Sequence, residues 1–152
     1  MTYVLEMSTD ADIVNTTLNQ GWNPINHRYH WASIQNGSCN LPAGCTVVVI
    51  AHGNQTEIGN SKSGTIDIQP ADFLSLIVSN SANGKTGLPA KIFLSTCAPN
   101  GLAQFTAGVA IEAEKQGFWG NVEFYGHTAS VAGPVPPYTP QSLDWTQIFV
   151  NK

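Results

Sequence analysis

TVVVIA, at residues 46–51, is a continuous run of apolar, mostly β-branched side chains, and His52 and Gly53 follow it directly. An uninterrupted run of this kind is typical of a strand that is buried on both faces of a parallel sheet. Residues 90–96, which contain KIFLS, predict a second buried strand, and Cys97 follows it. Because open parallel sheets bind ligands at the carboxyl ends of their strands, we expect the chemistry of this chain at His52 and Cys97.

The rest of the chain alternates predicted strands and helices. Further strands are predicted at 3–7, 122–125 and 145–150, and helices at about 9–19, 70–79 and 100–116. Residues 22–45 have neither a helical nor a strand period and predict a long loop or irregular hairpin, and residues 54–69 predict a loop or small hairpin. This order predicts one domain over residues 1–152, with an α/β fold. We expect a three-layer α/β/α sandwich around a mainly parallel sheet.

The composition disfavours two classes of partner, nucleic acids and inositol phosphates. Charged residues make up only 11% of the chain, against about 25% in a typical globular protein. Six basic residues face ten acidic ones, and the basic residues are scattered along the sequence. Nucleic acids and inositol phosphates are therefore not expected as partners, because binding several phosphates requires a dense positive patch.

No apolar run is long enough to predict a membrane span. The first residues lack the basic and apolar regions of a signal peptide, so we expect no Sec targeting of the chain as written. A cytoplasmic protein and a part of an exported effector both fit this sequence.

The three cysteines are Cys39, Cys45 and Cys97, so at least one thiol has no partner within the chain. Cys39 and Cys45 lie in a loop rich in Gly, Pro and Asn, where a small disulfide-closed ring is sterically allowed. Two unpaired thiols are the favoured interpretation. The pair offers too few ligands for a metal ion, and we expect neither a metal nor an organic cofactor.

His52 and Cys97 together predict a catalytic dyad. If their strands are neighbours, the backbones at the strand ends lie about 5 Å apart, so an imidazole and a thiol can face one substrate group. Cys97 also precedes a predicted helix, whose N-terminus would lower the pKa of the thiol and favour the thiolate. Gly53 has no side chain, which lets a carbonyl oxygen approach its backbone N–H as an oxyanion donor.

The motifs VVVIAHG and KIFLSTC together resemble those of the clan CD (caspase-like) cysteine peptidases. The stretch between them, GTIDIQPADFLSLIV, is most similar to CHAT domains and to the self-processing domains of bacterial toxins. The resemblance covers about residues 46–130. The sequence departs from the family at Thr96, where a smaller residue is common, and in its short length.

This resemblance implies a caspase-like fold and a cysteine endopeptidase that acts on a peptide or protein substrate. It makes His52 the imidazole that protonates the leaving amine, Cys97 the nucleophile that forms a thioester, and Gly53 part of the oxyanion hole. Two alternatives stay open, namely a catalytically inactive caspase-like binding module and a cysteine amidase with a non-protein acyl substrate. A reactive, partly exposed Cys97 would separate the enzymes from the binding module.

Other polar residues have weaker signals. His127 follows a predicted strand and is a candidate for substrate binding, with a structural hydrogen bond as the alternative. Glu57 is a second substrate-binding candidate, since a carboxylate there, or at Asp67 or Asp144, would suit a basic side chain. Asp10 and Asp12 are interpreted as favourable charges at the positive end of the first helix.

Overall fold

The computed structural model describes residues 1–53, 56–62, 64–96, 102–127, 134–139, 141 and 143–150. Its strands are β1 (Thr2–Glu6), β2 (Ile25–Tyr29), β3 (Thr46–Gly53), β4 (Ile58–Gly59), β5 (Asp67–Ile68), β6 (Lys91–Thr96), β7 (Glu123–His127) and β8 (Trp145–Ile148). Its α-helices are α1 (Ala11–Val14), α2 (Trp31–Gln35), α3 (Pro70–Asn80) and α4 (Leu102–Gln116), and short 3₁₀ turns lie at Gln20–Trp22 and Gly84–Thr86.

The strands form one mixed sheet in the order β2-β1-β3-β6-β7-β8. All neighbours in this order are parallel except β7 and β8, which are antiparallel. The two short strands β4 and β5 form an antiparallel hairpin that pairs with the end of β3. The predicted α/β fold with a mainly parallel sheet is therefore confirmed. The strands before His52 and Cys97 are neighbours in this sheet, which is the condition that the dyad hypothesis requires.

The two faces of the sheet are covered differently. One face packs against α2, α3 and α4, through side chains such as Ile34, Phe73 and Val109. The opposite face packs against the short helix α1, through Ile13, and against an aromatic group that includes Trp22 and Trp145. Among the described residues, helices therefore flank both faces, and the two longest, α3 and α4, lie on the same face.

The direction in which the chain adds strands reverses between β1 and β3. From β1 the chain continues to β2 at one edge of the sheet, and from β3 it continues to β6 towards the other edge. The helix after β1 and the helix after β3 lie on opposite faces. A crevice therefore opens at the carboxyl ends of β1 and β3, which is where open α/β sheets bind their ligands.

Two predictions for the first third of the chain were wrong. The first helix ends at Val14 rather than near Asn19. The reason is Arg28, whose guanidinium donates hydrogen bonds to the backbone oxygens of Ile13, Val14 and Thr16 and so replaces the bonds of a further helical turn.

The predicted loop at 22–45 contains β2 and α2. β2 is a half-exposed edge strand whose sequence, INHRY, has no hydrophobic alternation. It is held in the sheet by its pairing with β1 and by the ion pair of Arg28 with Glu6, a carboxylate that is only 1% exposed. Such long-range pairing overrides weak local propensity.

Other boundaries agree well with the predictions. Pro70 occupies the first turn of α3, as expected from its fixed φ, and the residues predicted as a hairpin include β4 and β5. Asn100, the predicted cap of the third long helix, lies outside the described residues. In the part of the chain that is described, no helix has both the length and the apolar character needed to cross a membrane.

We expect Arg28→Ala to lower the free energy of unfolding by about 3 kcal/mol, because it leaves the buried Glu6 carboxylate without its guanidinium partner. Urea denaturation of the variant and the wild type measures this loss. Lys115→Ala is the matched control, since Lys115 forms an exposed ion pair with Glu112 and its removal should cost less than about 0.5 kcal/mol. Equal losses in the two variants would contradict a structural role for the Glu6–Arg28 pair.

Candidate active site

His52 lies beyond the end of the β3–β6 ladder. Ala51 pairs directly with Thr96, the last residue of β6. In the sequence, His52 follows Ala51 and Cys97 follows Thr96. Past this last described pair, the backbone of His52 pairs with Gly59 of β4. The β4–β5 hairpin therefore extends the sheet locally and holds the backbone of His52.

Two carboxylates from the start of α1 face the imidazole of His52. Its Nε2 lies 2.8 Å from Oδ2 of Asp12 and 3.0 Å from Oδ1 of the same side chain. Asp10 Oδ2 lies 3.4 Å from the same nitrogen. The hydrogen bond with His52 is the main reason why the pKa of Asp12 is lowered.

Asp10 and Asp12 were predicted only as favourable charges at the helix start, and their contact with His52 was not predicted. Asp10 is the cap residue of α1 but makes no capping hydrogen bond with its side chain. Both aspartates follow the first strand closely. The strand-end rule that drew attention to His52 would have pointed to them as well.

Hydrogen bonds tie the loop after β1 to the loop after β4. The backbone N–H of Ser61 donates to Oδ2 of Asp10 at 2.8 Å. Asn60 Oδ1 accepts from the Ser8 hydroxyl at 2.6 Å and from the Thr9 backbone N–H at 2.8 Å. The segment that carries the two aspartates is therefore fixed to the hairpin that pairs with His52.

Gly53 packs tightly against β6. A Cβ atom at this position would lie 3.0 Å from Cβ of Thr96, closer than side chains normally approach. Thr96 is buried, and the missing side chain of Gly53 leaves room for it. The absence of a side chain at Gly53 thus accommodates threonine at position 96. The oxyanion role of Gly53 stays a prediction.

A cleft of about 220 Å³ opens beside His52. Its lining consists of His52, Gly53, Glu57, Ile58, Gly59, Asn60, Ser61, Ile66 and Asp67. Two of the carboxylates that the sequence analysis considered for substrate binding, Glu57 and Asp67, are therefore brought to the same cleft as the imidazole.

His127 has a different environment. It is only 4% exposed, its Nε2 lies 2.8 Å from the Ser95 hydroxyl oxygen, and its ring stacks on Trp145 with centroids 4.2 Å apart. Burial lowers the pKa of His127, and the backbone of Asp144 acts in the opposite direction. These contacts favour the structural alternative for His127, and its role in substrate binding stays a prediction.

Two of the three cysteines, Cys39 and Cys45, lie within the described residues. Cys97, the predicted nucleophile, lies outside the described residues. Cys39 and Cys45 are unpaired and buried, as the favoured interpretation held. Burial raises the pKa of each of these two thiols to about 11, so both are poor nucleophiles near neutral pH.

No protein-family model, no curated protein and no solved structure matches this chain. The described residues bring together an imidazole, an orienting carboxylate and a cleft at the carboxyl edge of a parallel sheet, which is an arrangement suited to proton transfer.

We expect the stability of the protein to fall as the pH drops below about 6.5, the ordinary pKa of histidine. His127 has a lowered pKa when folded, so the unfolded chain takes up a proton that the folded protein disfavours. The contribution is present above the unfolded pKa and is lost at up to about 1.4 kcal/mol per pH unit below it. Urea denaturation at several pH values measures the slope.

His127→Gln provides the comparison, because an amide does not titrate in this range. The difference in unfolding free energy between wild type and variant should shrink with falling pH. A difference that is independent of pH would show that His127 titrates alike in the folded and unfolded states.

Proposed function

We propose that the protein is a caspase-like cysteine endopeptidase that cleaves peptide bonds with Cys97 as the nucleophile and His52 as the group that transfers protons. The main support is the register of β3 and β6, in which Ala51 pairs with Thr96 and each is followed by one member of the dyad. The mainly parallel sheet with flanking helices is compatible with a caspase-like fold.

The reaction follows from the chemistry of these groups. The thiolate of Cys97 attacks the carbonyl carbon of the scissile bond and forms a tetrahedral intermediate, whose oxyanion accepts a hydrogen bond from the backbone N–H of Gly53. His52 then protonates the amine nitrogen, the C–N bond breaks, and a thioester remains on Cys97. Water attacks the thioester and gives a proton to His52, and the carboxylic acid leaves as the thiol is restored.

Asp12 is the positioning residue in this proposal. Its carboxylate contacts Nε2 of His52, which orients the ring and assigns proton transfer with the substrate to Nδ1. A carboxylate beside an imidazole also stabilises the protonated ring that forms during the reaction. Because Asp12 is 65% exposed, solvent screens this interaction and its effect on rate should be moderate.

The walls of the cleft indicate the kind of side chain that the substrate presents. Glu57 and Asp67 give the lining two carboxylates, and Ile58 and Ile66 add apolar surface. This combination suits the long apolar stem and the positive charge of lysine or arginine. We propose Glu57 as a substrate-binding residue on this basis.

The test measures thiol reactivity and needs no substrate. In wild type at pH 7, iodoacetamide should label Cys97 at least about 100-fold faster than Cys39 or Cys45, whose raised pKa values leave little thiolate. In His52→Ala, labelling of Cys97 should slow by about tenfold, because the imidazole that favours the thiolate is gone. Peptide mass spectrometry reports the rate at each site.

His27→Ala is the matched control, since His27 lies on β2 and not at the crevice. If Cys97 is labelled no faster than the two buried thiols, or if its labelling rate does not change in His52→Ala, the binding module is favoured.

If Cys97 is reactive, a comparison of fluorogenic peptides with cell-wall amides as substrates separates the endopeptidase from the amidase. Each substrate is given to wild type and to Cys97→Ala. Peptide cleavage that persists in Cys97→Ala contradicts the proposal.

Asp12→Asn should reduce peptide cleavage about tenfold, through kcat rather than KM, because an amide holds the ring less firmly and does not stabilise its protonated form. Steady-state kinetics over a range of pH measures both parameters. The pH at which activity is half-maximal should also move, which a purely structural role would not cause.

Asp72→Asn, a substitution in the first turn of α3, controls for the loss of a helix-terminal charge. An effect on KM alone, or equal effects of the two substitutions, would rule out Asp12 as the residue that positions His52.

A further inference from the structure

Asp10, Asp12 and His52 contribute three donor atoms that all lie within 4.8 Å of one another. The donors come from two separate segments of the chain, the start of α1 and the end of β3. Among the residues that the structure describes, this is the group of histidine, cysteine and acidic side chains that can converge on a single ion.

We propose that these three side chains form a binding site for a divalent transition-metal ion such as Zn²⁺. Zinc takes histidine nitrogens and carboxylate oxygens at about 2.0–2.2 Å, so neighbouring donors in a tetrahedral or octahedral site lie about 3.0–3.5 Å apart. The imidazole nitrogen lies 2.8 Å from Asp12 Oδ2 and 3.4 Å from Asp10 Oδ2. Small movements of side chains would therefore admit the ion.

The choice of metal follows from the donor set. Two carboxylate oxygens and an imidazole nitrogen suit Zn²⁺, Co²⁺ or Mn²⁺, whereas Mg²⁺ and Ca²⁺ prefer oxygen ligands alone. The ion would neutralise two carboxylates that now share one imidazole. Three protein ligands would leave a coordination position for water.

Surrounding hydrogen bonds hold the carboxylates in place. Asp10 accepts from the Ser61 backbone N–H at 2.8 Å, and Asp12 accepts from the Ile13 backbone N–H at 3.1 Å. Such outer contacts orient the ligands of metal sites and raise their affinity. The side chains of Asp10 and His52 are 26% and 21% exposed, which leaves a path for an ion from solvent.

One consequence rests on the proposed function. His52 cannot bind a metal through Nε2 and keep Asp12 as its positioning partner at the same time. A bound ion would therefore inhibit the peptidase, and metal occupancy would regulate it.

Calorimetric titration of Zn²⁺ into chelator-treated Cys97→Ala protein tests the site. We expect one ion per chain, and a loss of affinity of at least tenfold when Asp10→Asn, Asp12→Asn or His52→Ala is added to this background. Asp72→Asn and His27→Ala, added to the same background, are the controls and should bind as tightly as the parent. Circular dichroism verifies that each variant is folded.

Substitution of Co²⁺ for Zn²⁺ identifies the ligand types, because thiolate ligands produce an intense charge-transfer absorption that oxygen and nitrogen ligands lack. Its absence supports the proposed ligands. No binding by the folded parent, or binding that survives all three substitutions, overturns the site. Since the titrated protein has no Cys97, these results are independent of the peptidase proposal, which alkylation in the presence of chelator tests separately.

Discussion

The parallel pairing of β3 between β1 and β6 is the constraint on which the rest of the structure depends. Along β3, alternate side chains enter opposite cores, with Val47 and Val49 on the face of the long helices and Val48 and Ile50 on the face of the aromatic group. Each such buried side chain contributes about 1.5–3 kcal/mol relative to exposure, so displacement of β3 would weaken both cores together. The last residues of β3, His52 and Gly53, pair with β4, which holds the backbone of His52 at the carboxyl edge of the sheet.

Charged residues are few in this chain, and several of them lie at the carboxyl ends of β1 and β3. Glu6, buried at the end of β1, is paired with Arg28 and with His30 Nδ1 at 2.6 Å. That pairing fixes the edge strand and the end of α1, and α1 in turn carries the carboxylates that face His52. The position of the imidazole therefore depends on an ion pair between β1 and β2, through contacts that are polar and hence directional.

The same imidazole is central to both of our proposals. A histidine held by carboxylates can transfer protons for a neighbouring thiol, and it can also serve as a metal ligand, since both roles use a ring nitrogen whose orientation is fixed. The crevice between β1 and β3 gives either role a place for a ligand. The buried Ser95–His127 pair has the opposite character, because its contacts enclose it within the aromatic core.

Local patterns in the sequence determined the central elements. The apolar runs of β3 and β6, the start of α3 at Pro70 and the strand-end position of His52 were predicted because each depends on neighbours along the chain. The tertiary structure alone decided that INHRY is a strand, that α1 stops at Val14 and that Asp10 and Asp12 meet His52, which is 40 residues from Asp12. These outcomes come from hydrogen bonds and ion pairs between distant segments, which leave no periodic signal in the sequence.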